Sequence, residues 1–415
     1  MKVYRVGGAV RDRLLGIPHA DSDWVVVGAT PQQLVALGYR AVGKDFPVFL
    51  HPQTHEEYAL ARTERKVAPG YKGFTFHAAP DVTLEDDLRR RDLTINAIAE
   101  AEDGTIIDPF GGRRDLEQRL LRHVSTAFSE DPVRILRVAR FAARFHKLGF
   151  RVAPETESLM REMVQAGEVD ALVPERVWQE TVRALGEETP SIFFTSLRPS
   201  GALAKLFPEI ERLFGVPQRP EYHPEIDCGV HTMMVVDRAA QISADTRVRF
   251  AALVHDLGKG TTPQELLPRH HGHEHRSVDL VEDLCRRIRI PNEYRELAAM
   301  VARYHGACHT FFELKASTVV KTLRHLDAFR RPERLGQFLL ACQADAQGRL
   351  NKTNEPYPQA PAFEQCFQAA RAVDVKALVA QGLRGAALGQ KLHRARIAAV
   401  AGVLSAIKSR ASSTA

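Results

Sequence analysis

The sequence predicts a small α+β head, a mixed β-sheet with helices, followed by a mainly α-helical remainder. Two observations carry this. Over residues 1 to about 125, short β-branched and aromatic runs alternate with turn residues, the pattern of short strands. From Gly112 onward the apolar residues recur at helical spacing, and that spacing persists to the end of the chain. A chain of 415 residues also exceeds one ordinary core and divides into several domains.

Val3 to Val6 reads as the first strand, and Trp24 to Gly28, with β-branched Val25-Val26-Val27, as a buried second. Val48 to Leu50 and Glu57 to Leu60 supply further strands. Between the first two lie Gly7-Gly8, Arg11-Asp12, Leu14-Leu15-Gly16 and then Asp21-Ser22-Asp23. Residues two apart on a strand point the same way, so Asp21 and Asp23 set two carboxylates on one face at a sheet edge. Such groups repel each other, and hard cations with oxygen ligands relieve the repulsion. Gly7-Gly8 lets backbone N–H groups approach a phosphate, and Arg11 adds a fixed positive charge on the following helix. Each feature alone is commonly a plain turn. Within about twenty residues of one another, they point to metal-assisted chemistry on a nucleoside triphosphate.

Arg89-Arg90-Arg91 precedes Asp92 and the apolar-spaced Leu93-Thr94-Ile95-Asn96-Ala97. It is either a phosphate-binding cluster or a solvated basic turn. Asp108-Pro109-Phe110-Gly111-Gly112 closes the head with a strong turn signal. Glu130-Asp131-Pro132 then reads as a helix start. Arg134, Arg137, Arg140 and Arg144 follow at helical spacing and share a face, with Ile135, Leu136, Val138, Phe141 and Ala142 filling the other side. Four cations on a face without an acid repel each other unless an anion joins them, so this face is expected to bind one.

Helical patterns continue to Leu206-Phe207-Pro208, and the three prolines within residues 215–224 read as a domain joint. Next come His231, His255-Asp256, His270-His271-Gly272-His273-Glu274-His275 and, further on, Asp345. An adjacent His-Asp on a helix, with other histidines near in the fold, can bind one or two divalent metals. Residues 351–361 form a polar, proline-containing loop, helical stretches span 362–380 and about 385–408, and the last residues are expected to fray.

The composition, 44% hydrophobic and 26% charged, is that of a globular chain. Fifty-seven basic against 51 acidic residues give a net charge of +6, which fits a polyanionic partner. The five cysteines show no C-x-x-C spacing and are expected to be thiols in a reducing compartment. With no signal-peptide pattern and no membrane-spanning apolar run, the expectation is a cytoplasmic protein without membrane contact.

With these residues read, the chain resembles the bacterial CCA-adding enzymes, the class II tRNA nucleotidyltransferases that carry an HD domain. The resemblance rests on Gly7-Gly8-x-x-Arg11-Asp12, Asp21-x-Asp23, Arg90-Arg91-Asp92 with Asn96-Ala97, and Glu130-Asp131-x-x-Arg134-x-x-Arg137-x-x-Arg140. His231 with His255-Asp256 resembles the HD phosphohydrolase signature. The resemblance implies a nucleotidyltransferase head at 1–125, a helical neck at 126–215, an HD body at 228–329 and a tRNA-binding helical tail at 330–415. It implies template-independent addition of C, C and A to tRNA from CTP and ATP. Asp21 and Asp23 would hold two Mg²⁺ ions, and Gly8, Arg11 and Arg91 the triphosphate. Arg137 and Arg140 would hold phosphate or base.

Asp131 and Arg134 carry the base choice. Cytosine and adenine each show an amine beside a bare ring nitrogen, which a carboxylate and a guanidinium match. Uracil and guanine show the reverse, and the same pair rejects them. The HD resemblance implies a second activity on phosphomonoesters or 2′,3′-cyclic ends. His231, His255, Asp256 and Asp345 would be ligands of a transition metal such as Ni²⁺. His305 is followed by Gly306, so no second His-Asp pair is expected there. The oligomeric state is open between monomer and homodimer. The alternatives are a bacterial poly(A) polymerase, which shares head and neck motifs, and a protein that is mainly an HD phosphohydrolase.

Overall fold

The computed structural model describes residues 1–18, 22–42, 48–66 and 74–412, with backbone alone for 64–66, 74–76 and 410–412. The chain forms two compact units, Met1–Ala184 with Ile192–Leu206, and Leu185–Ser191 with Phe207–Ala415.

The first unit is built on strands β1 (Lys2–Val6), β2 (Asp23–Val27), β3 (Arg40–Val42), β4 (Val48–Leu50), β5 (Glu57–Leu60), β6 (Thr63–Lys66), β7 (Phe74–His77), β8 (Ala99–Ala101) and β9 (Ile106–Ile107). Seven of them make one mixed sheet in the order β3-β4-β5-β2-β1-β8-β9, and β6 and β7 pair separately. Side chains alternate across the sheet as a pleat requires. Val6 and Val25 pack on one face with Leu84, Leu88 and Ala97. Val26 packs on the other with Leu34, Phe49, Tyr58 and Leu60. The register pairs Val6 with Asp23, so the end of β1 that runs into Gly7 lies beside the start of β2. β2 also runs parallel to β5, with Glu57 opposite Asp23. These pairings bring the glycine turn and the carboxylate together.

Helices α1 (Gly8–Leu14), α2 (Pro31–Ala36), α3 (Leu84–Arg89) and α4 (Gly112–Gln118) accompany the sheet. The two longest head strands fall where the sequence placed them, within a residue at each end. β3, β6, β7, β8 and β9, each two to four residues long, were not foreseen. Then follow α5 (Val133–Phe145), α6 (Pro154–Gln165), α7 (Pro174–Leu185), α8 (Ser191–Leu197) and α9 (Ala202–Leu206). α5 begins directly after Pro132, its N-cap, and Asp131 Oδ1 accepts the Val133 N–H at 3.1 Å from the residue before it.

The second unit is helical: α10 (Pro208–Glu211), α11 (Cys228–Ile242), α12 (Thr246–Val254), α13 (His273–Ile288), α14 (Asn292–His309), α15 (Ala316–His325), α16 (Glu333–Gln347), α17 (Gln359–Arg371), α18 (Val375–Ala380) and α19 (Gly385–Ser412). The expected single stretch 362–380 is two helices. Asp374 breaks it by accepting the Ala377 N–H at 3.0 Å as an N-cap. Val235, Ala239, Ala252 and Ala344 form a small-residue core that lets α11, α12 and α16 approach closely. Gly258 serves the same end: a Cβ there would strike His273 O and lie 2.7 Å from Ser277 N. The five cysteines are all buried free thiols, as expected. Among the described residues no helix is long and apolar enough to cross a membrane.

Candidate active sites

The first site is a cavity of ≈ 490 Å³ in the first unit, a size usual for small-molecule sites. Gly8, Arg11, Asp23, Arg91, Asp131, Arg134, Arg137 and Arg140 line it. Asp21 lies outside the described residues. Gly7 opens α1 at φ 69°, and a Cβ there would stand 2.8 Å from Arg91 Nη1, so glycine keeps the turn open to the guanidinium. Asp23 is exposed at the start of β2.

A chain of bonded side chains runs under the cavity. Arg11 donates from Nε to Asp12 Oδ1 at 2.7 Å and from Nη1 to Asn96 Oδ1 at 2.5 Å. It also lies 5.1 Å from the Phe141 ring and 5.0 Å from that of Phe145. Asn96 donates to Asp92 Oδ1 at 3.0 Å, and Asp92 Oδ2 accepts from Arg137 Nε at 2.7 Å. Burial works to raise the pKa of Asp92, but Arg137 and the Asn96 hydrogen bond hold it well below the usual carboxylate range. Arg11 is lowered by burial, against the opposing pull of Asp12.

The arginine face of α5 requires a correction. Its cations do not wait unpaired for an anion, because acids from other elements reach them. Arg137 meets Asp92, Arg140 Nε meets Glu180 Oε2 at 2.6 Å, and Arg144 Nη2 meets Asp12 Oδ2 at 2.9 Å. Arg134 donates to two backbone carbonyls, Ala127 at 2.8 Å and Arg90 at 2.6 Å. Arg137 bonds Asp92 and Arg140 bonds Glu180 through Nε, and both residues face the cavity. The Arg134 N–H donates to the Asp131 backbone carbonyl at 3.0 Å, while the Asp131 carboxylate turns elsewhere. Its two oxygens are clamped by Arg176 Nη1 and Nη2 at 3.0 and 2.7 Å. In the triple arginine, Arg89 pairs with Glu85, while Arg90 and Arg91 share the buried Asp87 and also line the cavity. Arg176 was missed by sequence reasoning, since only tertiary contact relates it to Asp131.

The second site lies in the helical unit. His255 and Asp256 do not sit within a helix as expected. α12 ends at Val254, His255 caps it and Asp256 opens a 3₁₀ turn, which turns both side chains inward. His231 on α11 has Nε2 3.1 Å from Asp345 Oδ1 and Nδ1 2.9 Å from Glu225 Oε1. His255 Nε2 lies 3.1 Å from Asp256 Oδ2 and 3.7 Å from Asp345 Oδ2. On the far side of Asp256, its Oδ1 lies 3.1 Å from His273 Nε2 and 3.4 Å from His305 Nε2. His309 Nε2 meets Asp345 Oδ2 at 2.6 Å.

These atoms fit metal ions. Backbone carbonyls accept the Nδ1–H of His255 (Ala252, 2.7 Å), His273 (His270, 2.8 Å) and His305 (Val301, 3.0 Å). That places the proton on Nδ1 and turns the Nε2 lone pair toward a carboxylate, an arrangement a cation relieves. His255 Nε2, His273 Nε2 and Asp256 Oδ1 are buried without an aligned hydrogen bond. Burial alone would strip a proton from His255, but Asp256 and Asp345 hold its pKa up to about 10, so without a metal Nε2 carries a proton at the position a cation would take. Ligand-competent triples occur at His231/His255/Asp256, His255/His305/Asp345 and Asp256/His273/His305. His305 therefore joins the cluster without a following Asp. The His305–His309 spacing on α14, one turn apart on one face, is the signal that could have found it. Beside the cluster opens a cavity of ≈ 840 Å³ lined by Lys259, Arg219, Arg269 and Arg349 among others.

A mixed-sheet head with a cationic cavity and a helical unit with a His/Asp centre define a nucleotidyltransferase joined to an HD domain. Family models agree in place: the poly A polymerase head domain matches residues 3–122, the probable RNA and SrmB-binding site of polymerase A 149–214, and the HD domain 229–331. The chain is 68% identical over 400 residues to the multifunctional CCA protein of Thioalkalivibrio sulfidiphilus (strain HL-EbGR7), covering 96% of this chain and 98% of that one. It is 63% identical over 397 residues to that of Teredinibacter turnerae (strain ATCC 39867 / T7901), covering 96% and 97%. The chain belongs to the multifunctional CCA protein family. In fold it is similar to the Bacillus stearothermophilus CCA-adding enzyme in complex with CTP, at TM-score 0.64 and 22% identity over 99% of this chain and 94% of that one. It is similar also to the Thermotoga maritima CCA-adding enzyme complexed with tRNA_CCA, at 0.63 and 20% over 99% and 91%.

Proposed function

We propose that this chain adds C, C and A to the 3′ end of tRNA from CTP and ATP without a template, and that its HD domain hydrolyses phosphate esters. The observation that carries the first part is the joining, in one cavity, of Gly7-Gly8, Asp23 and the Asp131/Arg134 end of α5. The 3′-oxygen attacks the α-phosphorus of the nucleotide, the bond to the β-phosphate breaks, and pyrophosphate leaves. Asp23 and Asp21 would hold divalent ions, here assigned as Mg²⁺, whose charge would make the attacking hydroxyl more acidic and offset that of the leaving pyrophosphate. The backbone N–H of Gly8, with Arg11 and Arg91, would face the triphosphate, Arg11 being held in place by Asp12 and Asn96. Arg137 and Arg140 direct charge at phosphate or base. Asp131 accepts from the amine of C or A while Arg134 donates to the adjacent ring nitrogen.

In the HD domain, His231, His255, Asp256 and Asp345 would hold a transition metal such as Ni²⁺, with His273 and His305 completing a second position on Asp256. Such ions activate water for attack on phosphorus. Lys259 and Arg349 supply positive charge for the ester, assigned as 2′,3′-cyclic or monoester ends of nucleotides. The partners are tRNA, CTP and ATP, and the reaction belongs in the cytoplasm.

The base-reading assignment is tested on tRNA lacking its last nucleotides, comparing kcat/KM for CTP and UTP. Asp131→Ala is expected to reduce the CTP preference by roughly a hundred-fold, which corresponds to the upper end of the ~1–3 kcal/mol cost of a mismatched buried polar group. An unchanged preference would remove Asp131 from that role.

A further inference from the structure

We propose that Arg176 is a positioning residue that sets nucleotide choice, by holding Asp131 as an acceptor with one open position. This rests on the reading of Asp131 as the base-reading acceptor. Arg176 grips both oxygens, Oδ1 at 3.0 Å and Oδ2 at 2.7 Å, in the two-pronged geometry that makes guanidinium–carboxylate pairs strong and directional. The Val133 N–H takes a second position on Oδ1 at 3.1 Å. An ionised carboxylate offers about four acceptor positions. Both on Oδ1 and one on Oδ2 are thus filled, and the position left on Oδ2 suffices for one N–H of an exocyclic amine.

The clamp is itself held. Glu180 stands one turn beyond Arg176 on α7, on the same face, and accepts Arg140 Nε at 2.6 Å. Both partners of that pair are buried. It locks α7 against α5, so the Arg176 fork meets Asp131 at a fixed angle. Arg134, the donor of the reading pair, is anchored independently on Ala127 O and Arg90 O. Acceptor and donor are therefore set by separate supports, and the match to C and A depends on neither rotating. A carboxylate released from the fork can swing to accept the ring N–H of uracil, which erases the distinction. Lysine in place of Arg176 keeps the charge but supplies a point contact in place of the fork.

The experiment uses the full chain with trimmed tRNA and measures the ratio of kcat/KM for CTP over UTP. Its variants are Arg176→Lys, Arg176→Ala, Asp131→Ala and the Asp131→Ala/Arg176→Ala double. Arg176→Lys is expected to unfold near the wild-type temperature and to lower the ratio roughly ten-fold or more, the scale of one mismatched buried hydrogen bond. The double variant is expected to show the ratio of Asp131→Ala alone, since a clamp has nothing to act on once its carboxylate is gone. The proposal is overturned if Asp131→Ala loses selectivity while Arg176→Lys and Arg176→Ala keep it. It is overturned too if the double variant loses more selectivity than Asp131→Ala. If Asp131→Ala itself keeps the wild-type ratio, the base-reading assignment falls first and this inference with it.

Discussion

Asp23→Ala is expected to reduce nucleotide addition by roughly a thousand-fold or more while leaving phosphate-ester hydrolysis at its wild-type rate. The first half follows from what a metal-binding carboxylate does. It holds ions that stabilise charge on the attacking and leaving oxygens, worth several kcal/mol, and each 1.4 kcal/mol is about ten-fold in rate. Asp23 stands at the first residue of β2, in register with Val6 and so beside the Gly7 turn, and in parallel register with Glu57 on β5. Its side chain is exposed, so removal leaves no cavity and no orphaned core partner, and the fold should survive. The second half follows from the His/Asp centre belonging to the other compact unit. Labelled CTP incorporation into trimmed tRNA, and hydrolysis of a 2′,3′-cyclic nucleotide, read the two halves. Addition persisting above a tenth of the wild-type rate would contradict the role given to Asp23.

The reciprocal substitution is expected to have the reciprocal effect. His255→Ala should cost hydrolysis roughly a hundred-fold or more and lower the bound transition metal, with nucleotide addition retained. The ring is held by Ala252 O on one nitrogen and directs the other at Asp256 and Asp345. Its loss removes a ligand and leaves two buried carboxylates facing each other with one cation fewer. Metal content of the purified variant, measured beside both activities, separates ligand loss from global unfolding. Hydrolysis and metal content both unchanged would place the centre elsewhere.

Much of the first unit was legible in advance because its signals are local. Val25-Val26-Val27 could be read as a strand, and Pro132 after Asp131 as a helix start, from neighbours alone. What escaped the sequence is tertiary. The acids that neutralise Arg137, Arg140 and Arg144 lie 45, 40 and 132 residues away, so the face looked unpaired when read along α5. Arg176 escaped for the same reason, 45 residues from Asp131 with no spacing to connect them. In the helical unit the individual histidines were visible, but the convergence of His231, His255, His273 and His305 on two carboxylates needs the packing of α11 through α16. The helix break at Asp374 was readable, since Asp before an apolar run is a start signal.

The central claim, template-free addition governed by a cationic pocket that reads C and A, is tested most directly by sequencing. tRNA trimmed of its 3′ end is incubated with the protein and all four nucleoside triphosphates, and the new terminus is read. The account predicts C, C, A and then a stop. A run of A without C, or U and G inserted as freely as C and A, would contradict it.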